Sequence, residues 1–280
     1  MKTQSSSPIP RIFFLSYAIL LLPFLWSCQQ QQKSYEGKRA FFLLGEHEYG
    51  TPESLPAFAT THLEPLGIES SFVFVEGNDR ESPLCHTFEG IAALEAADIL
   101  ILSTRRRFPT TDDMAIIRNF IELGKPVVGV RTASHAFGAR EGRVGYEAPE
   151  GHASWNTFDV DVLGANYQGH YDEKEGGLLQ VTAWIEETAS KHAIIQRLDF
   201  SEPFSIGNKL YEYIEPDPAI KVLLSARWDE KESPHPVAWT NEKDGKRVFY
   251  MSPGSQDEMA LPQVKSLLQA AVLWGLDGGS

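Results

Sequence analysis

His135 stands four residues after Arg131, just beyond the short apolar run Pro126-Val127-Val128-Gly129-Val130. A histidine in that setting can act as a general acid or base, because its imidazole titrates near neutrality. The structural alternative is a helix cap or a bond to a backbone carbonyl. Glu46 follows a second apolar run, Ala40-Phe41-Phe42-Leu43-Leu44, and is the expected counterpart carboxylate. Two titratable groups in different environments can divide acid and base roles between them. Glu48 reads instead as a solvated loop glutamate. Arg131 completes the expected catalytic set by polarising or holding an oxygen. Arg105, Arg106 and Arg107 follow a third run, Ile99-Leu100-Ile101-Leu102-Ser103. Guanidinium forks bind carboxylate, phosphate or vicinal hydroxyl oxygens. One or more of the three is expected to be structural.

Residues 138 to 178 are rich in Gly, His, Tyr and Asp and lack periodicity. A long irregular stretch within a compact domain reads as a functional insertion. It carries His152, Trp155, Asp159, His170 and Tyr171, which together with His47 and the three arginines make up the expected substrate-binding set. Trp and Tyr faces stack on sugar rings, and neighbouring polar groups bond hydroxyls, so the expected ligand is a small carbohydrate. His47, His135, His152 and His170 are the alternative: a divalent metal cluster. Their spacing fits no compact ligand motif, and neither a metal nor another cofactor is assigned. Cys85 precedes His86 in a loop ahead of a helix. The strand-to-helix elbow after Val130, where a nucleophile would be exposed, holds Arg131, so thiol catalysis is not expected.

The elements that must hold these residues follow from pattern. Ala40–Leu44, Ser71–Val75, Asp98–Ser103 and Pro126–Val130 read as strands, the continuous apolar runs among them as strands buried on both faces. Between them fall expected helices at Ser54–Leu66, stopped by Gly67, at Phe88–Ala97, and from a Thr110 cap to Gly124. The last carries Met114, Ile117, Phe120 and Ile121 on one face. Strand alternating with helix predicts a parallel sheet covered on both faces. In such sheets ligands bind beyond the carboxyl ends of the strands, so the loops after the first, third and fourth strands should face one crevice. Further strands are expected at Leu178–Trp184, Lys209–Ile214, Ala219–Ala226, Pro236–Thr240 and Arg247–Ser252, with a hairpin turn at Glu242–Lys246 and a final helix from Pro262.

The chain has 280 residues, 42% of them hydrophobic, with a formal net charge of -13. That is enough apolar matter for one core, and the acidity argues against general nucleic-acid binding. Lys2 and Arg11 precede the apolar stretch Ile12–Trp26, the grammar of a secretory signal, and Pro23 interrupts it. Leu25-Trp26-Ser27-Cys28 resembles a lipobox, with Trp26 in place of the usual small residue. Residues 1–28 are therefore expected to be a signal peptide ending at a lipidated Cys28, with an ordinary cleaved signal as the alternative. Residues 29–37 would be a flexible tether, and 38–280 one folded domain. This predicts an exported lipoprotein that touches the membrane through its anchor only. Homo-oligomerisation stays open.

The run Pro236-Val237-Ala238-Trp239-Thr240 with Gly245-Lys246-Arg247-Val248-Phe249-Tyr250 is similar to the closing signature of the trehalose-utilisation (ThuA-like) family. Lys191-His192-Ala193-Ile194, Lys209-Leu210-Tyr211, Gly129-Val130-Arg131 through His135, and Trp274-Gly275 also resemble that family, over residues 38 to 277. The resemblance implies a flavodoxin-like α/β fold, a three-layer sandwich with a mostly parallel central sheet and an irregular insertion. It implies kinship with class I glutamine amidotransferases without their catalytic cysteine, and a role in carbohydrate use, on sugars or keto-sugars. Ser252-Pro253-Gly254-Ser255-Gln256 stands where the family commonly has Gly-His. Two functions follow: an enzyme acting on a sugar or keto-sugar by acid–base chemistry, an isomerase, lyase or hydrolase, or a non-catalytic sugar-binding lipoprotein on the same fold.

Overall fold

The computed structural model describes residues 34–75, 86–138, 147–171, 173–174, 177–178, 180–207, 209–229 and 233–279. Expectations for the signal segment, Cys28, most of the tether and Cys85 lie outside these residues. In chain order the main elements are β1 (Arg39–Gly45), α1 (Thr51–Phe58), β2 (Glu69–Phe74), β3 (Ile99–Thr104), α2 (Thr111–Glu122), β4 (Val127–Val130), β5 (Asn166–Tyr171), β6 (Glu173–Lys174), β7 (Gly177–Leu178), β8 (Val181–Ile185), β9 (Phe204–Ile206), β10 (Leu210–Ile214), β11 (Ile220–Arg227), β12 (His235–Asn241), β13 (Val248–Met251) and α3 (Pro262–Leu276).

One nine-stranded sheet runs in the order β2-β1-β3-β4-β13-β12-β11-β8-β9. Its first five strands are mutually parallel. The remaining four extend it in antiparallel fashion. The parallel half has the flavodoxin-like order, in which the crevice opens at the carboxyl ends beside the switch from β1 to β3. Its interior strands carry continuous apolar runs because both faces are covered. Phe42 and Leu44 of β1, Ile99 and Ile101 of β3 and Val128 and Val130 of β4 pack with Leu55 and Phe58 of α1 and Val264, Leu267 and Leu268 of α3. Phe41, Leu43, Leu100, Leu102 and Val127 point the other way, onto Met114, Ile117, Phe120 and Ile121 of α2. Two cores on one sheet make the three layers.

Local signals act as their chemistry requires. The Thr110 hydroxyl accepts the Asp113 N–H at 3.1 Å and caps α2. Gly124, at φ 73°, ends it. The first helical segment continues past α1 through a π turn and a 3-10 turn to Gly67, at φ 86°. Two segments differ from the sequence expectation. The helix expected at Phe88–Ala97 is a shorter 3-10 segment, Ile91–Ala96. The strand expected near Lys209–Ile214 forms as β10 but leaves the main sheet. It pairs antiparallel with β5 of the insertion, with a register shift at Glu212/Tyr213. This two-stranded ribbon brings the insertion's tyrosines to the carboxyl ends of the parallel strands.

Candidate active-site cleft

The turn after β4 is strained. Arg131 takes φ 51° in the left-handed region, a conformation that costs a non-glycine residue about 1–2 kcal/mol. It opens a 3-10 turn, Arg131–His135. Gly129, on β4 two residues before Arg131, lets the elbow pack closely: a Cβ there would lie 3.0 Å from Tyr250 Cδ2 and 3.2 Å from Ala133 Cβ.

Contacts from distant parts of the chain hold the elbow. The Tyr250 hydroxyl donates to the Arg131 carbonyl at 2.7 Å, and the Tyr213 hydroxyl donates to Tyr250 at 2.5 Å. The Arg131 side chain is 3% exposed. Its Nη1 donates to the Ser252 carbonyl at 2.9 Å and meets the Glu258 carboxylate at 3.4 Å. Tyr49 and Tyr211 offer ring faces to it, at 4.3 and 4.8 Å. Glu258 is equally buried. It accepts the N–H groups of Gly254, Ser255 and Gly207 and the Ser255 hydroxyl, at 2.8 to 3.0 Å. Gly254 and Ser255 of the segment Ser252–Gln256 thus cradle the counter-ion of the elbow arginine.

His135 closes the turn. Its ring lies parallel to Tyr167, with centroids 4.5 Å apart, and its Nδ1 is 3.0 Å from the Ser134 hydroxyl. Burial, followed by the charges of Arg106, Arg105, His170 and Arg131, holds the imidazole well below its ordinary pKa, so it is neutral at pH 7. Beside it opens a cleft of about 750 Å³. Its lining includes Arg106, Ser134, His135, Trp155, Asp159 and Tyr167. Trp155 is fixed as a wall of the cleft: its Nε1–H donates to Asp161 at 2.7 Å, and Arg118 sits 3.8 Å from its ring centroid. Asp159 accepts the Val160 and Tyr167 N–H groups at 2.9 and 2.8 Å and so ties the start of β5 to the wall. Burial raises its carboxyl pKa, and these bonds act against the rise.

The three strand-end loops do meet, as the parallel sheet requires. Arg106, also at positive φ, donates its N–H to the His135 carbonyl at 2.8 Å. Arg107 is buried: its N–H reaches the Ala136 carbonyl and its Nε the Gly45 carbonyl at 2.9 Å. Arg105 pairs with Glu48. Thus Arg107 laces two loops together, Arg105 forms an ion pair, and Arg106 faces the cleft.

Glu46 is fully buried, and both its oxygens are occupied. They accept the N–H groups of Glu48, Tyr49 and Thr51 at 2.7–2.8 Å and the Thr51 hydroxyl at 2.5 Å. The carboxylate folds the loop and satisfies the start of α1; it makes no described contact with His135. His47 is exposed, with Nε2 3.0 Å from the Val75 carbonyl. His152 sits 3.1 Å from the Glu150 carbonyl and beside His86, apart from the cleft lining. His170 approaches the Tyr167 hydroxyl at 3.3 Å and Tyr211. Tyr171 packs on Trp228 and His235 instead. Among the described residues no group of three His, Cys, Asp or Glu side chains is placed to hold a metal ion.

Sequence reading missed Glu258, Ser134 and the tyrosines 167, 211, 213 and 250. Glu258 and Tyr250 lie more than a hundred residues from Arg131, and only the fold joins them. For Ser134 a signal existed: it adjoins His135 on the same turn.

A 2-1-3-4 parallel order with helices on both faces defines the class of flavodoxin-like α/β domains, here with Arg131 at a strained turn after β4. Within that class the chain belongs to the carbohydrate-related ThuA (trehalose utilisation) family, whose model matches residues 39–275. A solved ThuA-like protein from Parabacteroides merdae superposes with a TM-score of 0.57 at 12% identity, over 86% of this chain and 90% of that one. The carbohydrate deacetylase Agd3 superposes with a TM-score of 0.51 at 11% identity, over 85% of this chain but 32% of its own. No curated protein sequence matches the chain.

Proposed function

We propose that the cleft beside His135 binds a sugar or keto-sugar and that His135 moves a proton on it. The observation that carries this reading is a neutral imidazole at the wall of a cleft faced by Tyr167 and Trp155. Aromatic faces stack on the apolar faces of sugar rings, and Arg106 supplies donors for hydroxyl or carbonyl oxygens. At pH 7 the imidazole is in the form that accepts a proton, as proton removal next to a carbonyl requires. Arg131 is the buried cation under the turn, and Glu46 anchors its loop. The family's link to trehalose utilisation and the carbohydrate activity of Agd3 support the substrate class. We place this activity outside the cytoplasm, on a protein anchored through Cys28, following the signal-like N-terminus.

A second reading has one observation in its favour. Glu46 is saturated by hydrogen bonds, and Asp159, the carboxylate of the described cleft lining, already accepts a backbone N–H on each oxygen. A non-catalytic sugar-binding protein needs no free carboxylate. One experiment separates the two. The full chain is titrated calorimetrically with trehalose, glucose and keto-sugars, and product formation is followed on any sugar that binds. A ligand at about 100 times its dissociation constant also adds about 2.7 kcal/mol to stability. In an enzyme, His135→Ala abolishes turnover and keeps most of the binding. Binding without turnover in the wild type supports the second reading, and equal turnover in the variant refutes the role of His135. No binding to any of these sugars refutes both.

A further inference from the structure

Which face of His135 meets the ligand as a proton acceptor depends on its tautomer, and the tautomer depends on what its other nitrogen bonds. Nδ1 lies 3.0 Å from the Ser134 hydroxyl, and Nε2 bonds no described residue. Ser134 is 2% exposed, so its hydroxyl is held chiefly by protein partners. Besides His135 Nδ1, the described partner of its hydroxyl is the Arg131 carbonyl, at 3.4 Å. The tyrosine protons are committed elsewhere, Tyr213 to Tyr250 and Tyr250 to the Arg131 carbonyl. All donors in this chain run toward the elbow carbonyl. A hydroxyl that has given its proton away in that direction is left with a lone pair for His135.

We infer that Ser134 is a positioning residue that fixes the tautomer of His135: it accepts Nδ1–H, and Nε2 is left as the unprotonated nitrogen available to the cleft. The inference rests on the proposed role of His135 and makes it specific. The histidine enters the reaction as a base rather than as an acid. A substrate proton passes to Nε2, the imidazolium keeps Nδ1–H on Ser134, and the proton returns to substrate or solvent from the same nitrogen. The substrates this suits carry an acidic C–H or O–H next to a carbonyl, as keto-sugars do. The strained elbow fits this arrangement, because it sets the Ser134 hydroxyl between the Arg131 carbonyl and His135 Nδ1 while His135, the next residue, lines the cleft.

The test needs no substrate. The full chain is labelled with nitrogen-15 histidine, and two-bond proton–nitrogen correlations are recorded at pH 7, with His135→Gln identifying the signal. In the wild type, Nδ1 is expected to be the protonated nitrogen and Nε2 the bare one, with a preference of about fivefold or more, the ratio one net hydrogen bond sustains. Ser134→Ala is expected to bring the two forms close to equal while the other histidines keep their shifts. Tyr250→Phe leaves Ser134 in place and is expected to change the ratio less. An Nε2–H form in the wild type overturns the inference, and so does a ratio unchanged by Ser134→Ala. If Ser134→Ala does not fold, the wild-type and Tyr250→Phe spectra decide alone. Failure of the carbohydrate reading is seen separately, by calorimetry.

Discussion

Replacing Glu258 with alanine removes the only described carboxylate that meets the Arg131 guanidinium. Both side chains are nearly inaccessible to water, at 3% and 2%, so solvent screening does not soften the loss. Breaking a buried pair by deleting one partner costs about 3–5 kcal/mol, because the surviving charge stays buried. The N–H groups of Gly207, Gly254 and Ser255 also lose their acceptor. Those losses overlap with the first, and water entering the vacated space offsets part of them. A net loss of about 4 kcal/mol is expected. For a domain of this size that lowers the melting temperature by roughly 8–16 °C. Thermal unfolding followed by circular dichroism at pH 7 measures it. The double variant Arg131→Met with Glu258→Gln discards the charge pair but keeps an oxygen for the backbone donors. It is expected to be more stable than Glu258→Ala by about 1–2 kcal/mol or more. A Glu258→Ala protein within about 1 kcal/mol of wild type would refute the reasoning, as would a double variant no better than the single one.

Other outcomes follow from the same geometry. His135 is held below its ordinary pKa, so the unfolded chain binds its proton first as pH falls. Its contribution is complete above the unfolded histidine value and is lost as pH drops through the folded one; His135→Gln should flatten the decline in stability between pH 7 and 5, measured by urea titration. His86 and His192 are lowered as well, chiefly by burial, and should leave a residual slope in that variant. Gly129→Ala drives a Cβ against Tyr250 and Ala133 and should cost about 1–3 kcal/mol by denaturant unfolding; a neutral result would mean the elbow packs loosely. Thr110→Ala removes the cap of α2 and should cost about 1 kcal/mol in the same assay.

The parallel half of the sheet was legible because its inner strands are covered on both faces, which leaves continuous apolar runs such as Phe41–Leu44 and Ile99–Leu102. The Thr110 cap and the stops at Gly67 and Gly124 were legible because each is a local chemical event. From the sheet alone it followed that the loops bearing Glu46, Arg105–Arg107 and Arg131–His135 would converge. What each polar residue does there depended on partners that sequence distance conceals. Glu46 looked free for chemistry until its own loop folded back to donate to it. Arg131 looked like a ligand-holding cation, but Glu258 and Tyr211, brought in by β13, α3 and the β5–β10 ribbon, bury it. The ribbon itself was obscured because β5 is half-buried and tyrosine-rich, with no apolar run to mark it. Strand β9, Phe-Ser-Ile, is too short to show a period.

The most direct test of a carbohydrate cleft beside His135 is calorimetric binding of the sugar found in the titration to wild type, Trp155→Ala and Trp184→Ala. Trp155 forms a wall of the cleft, whereas Trp184 lies on β8 in the antiparallel half. Loss of an aromatic stacking face should weaken binding by tenfold or more, about 1.4 kcal/mol, in Trp155→Ala and leave Trp184→Ala at wild-type affinity. Undiminished binding in Trp155→Ala, or a loss confined to Trp184→Ala, would contradict the account and move the ligand elsewhere on the molecule.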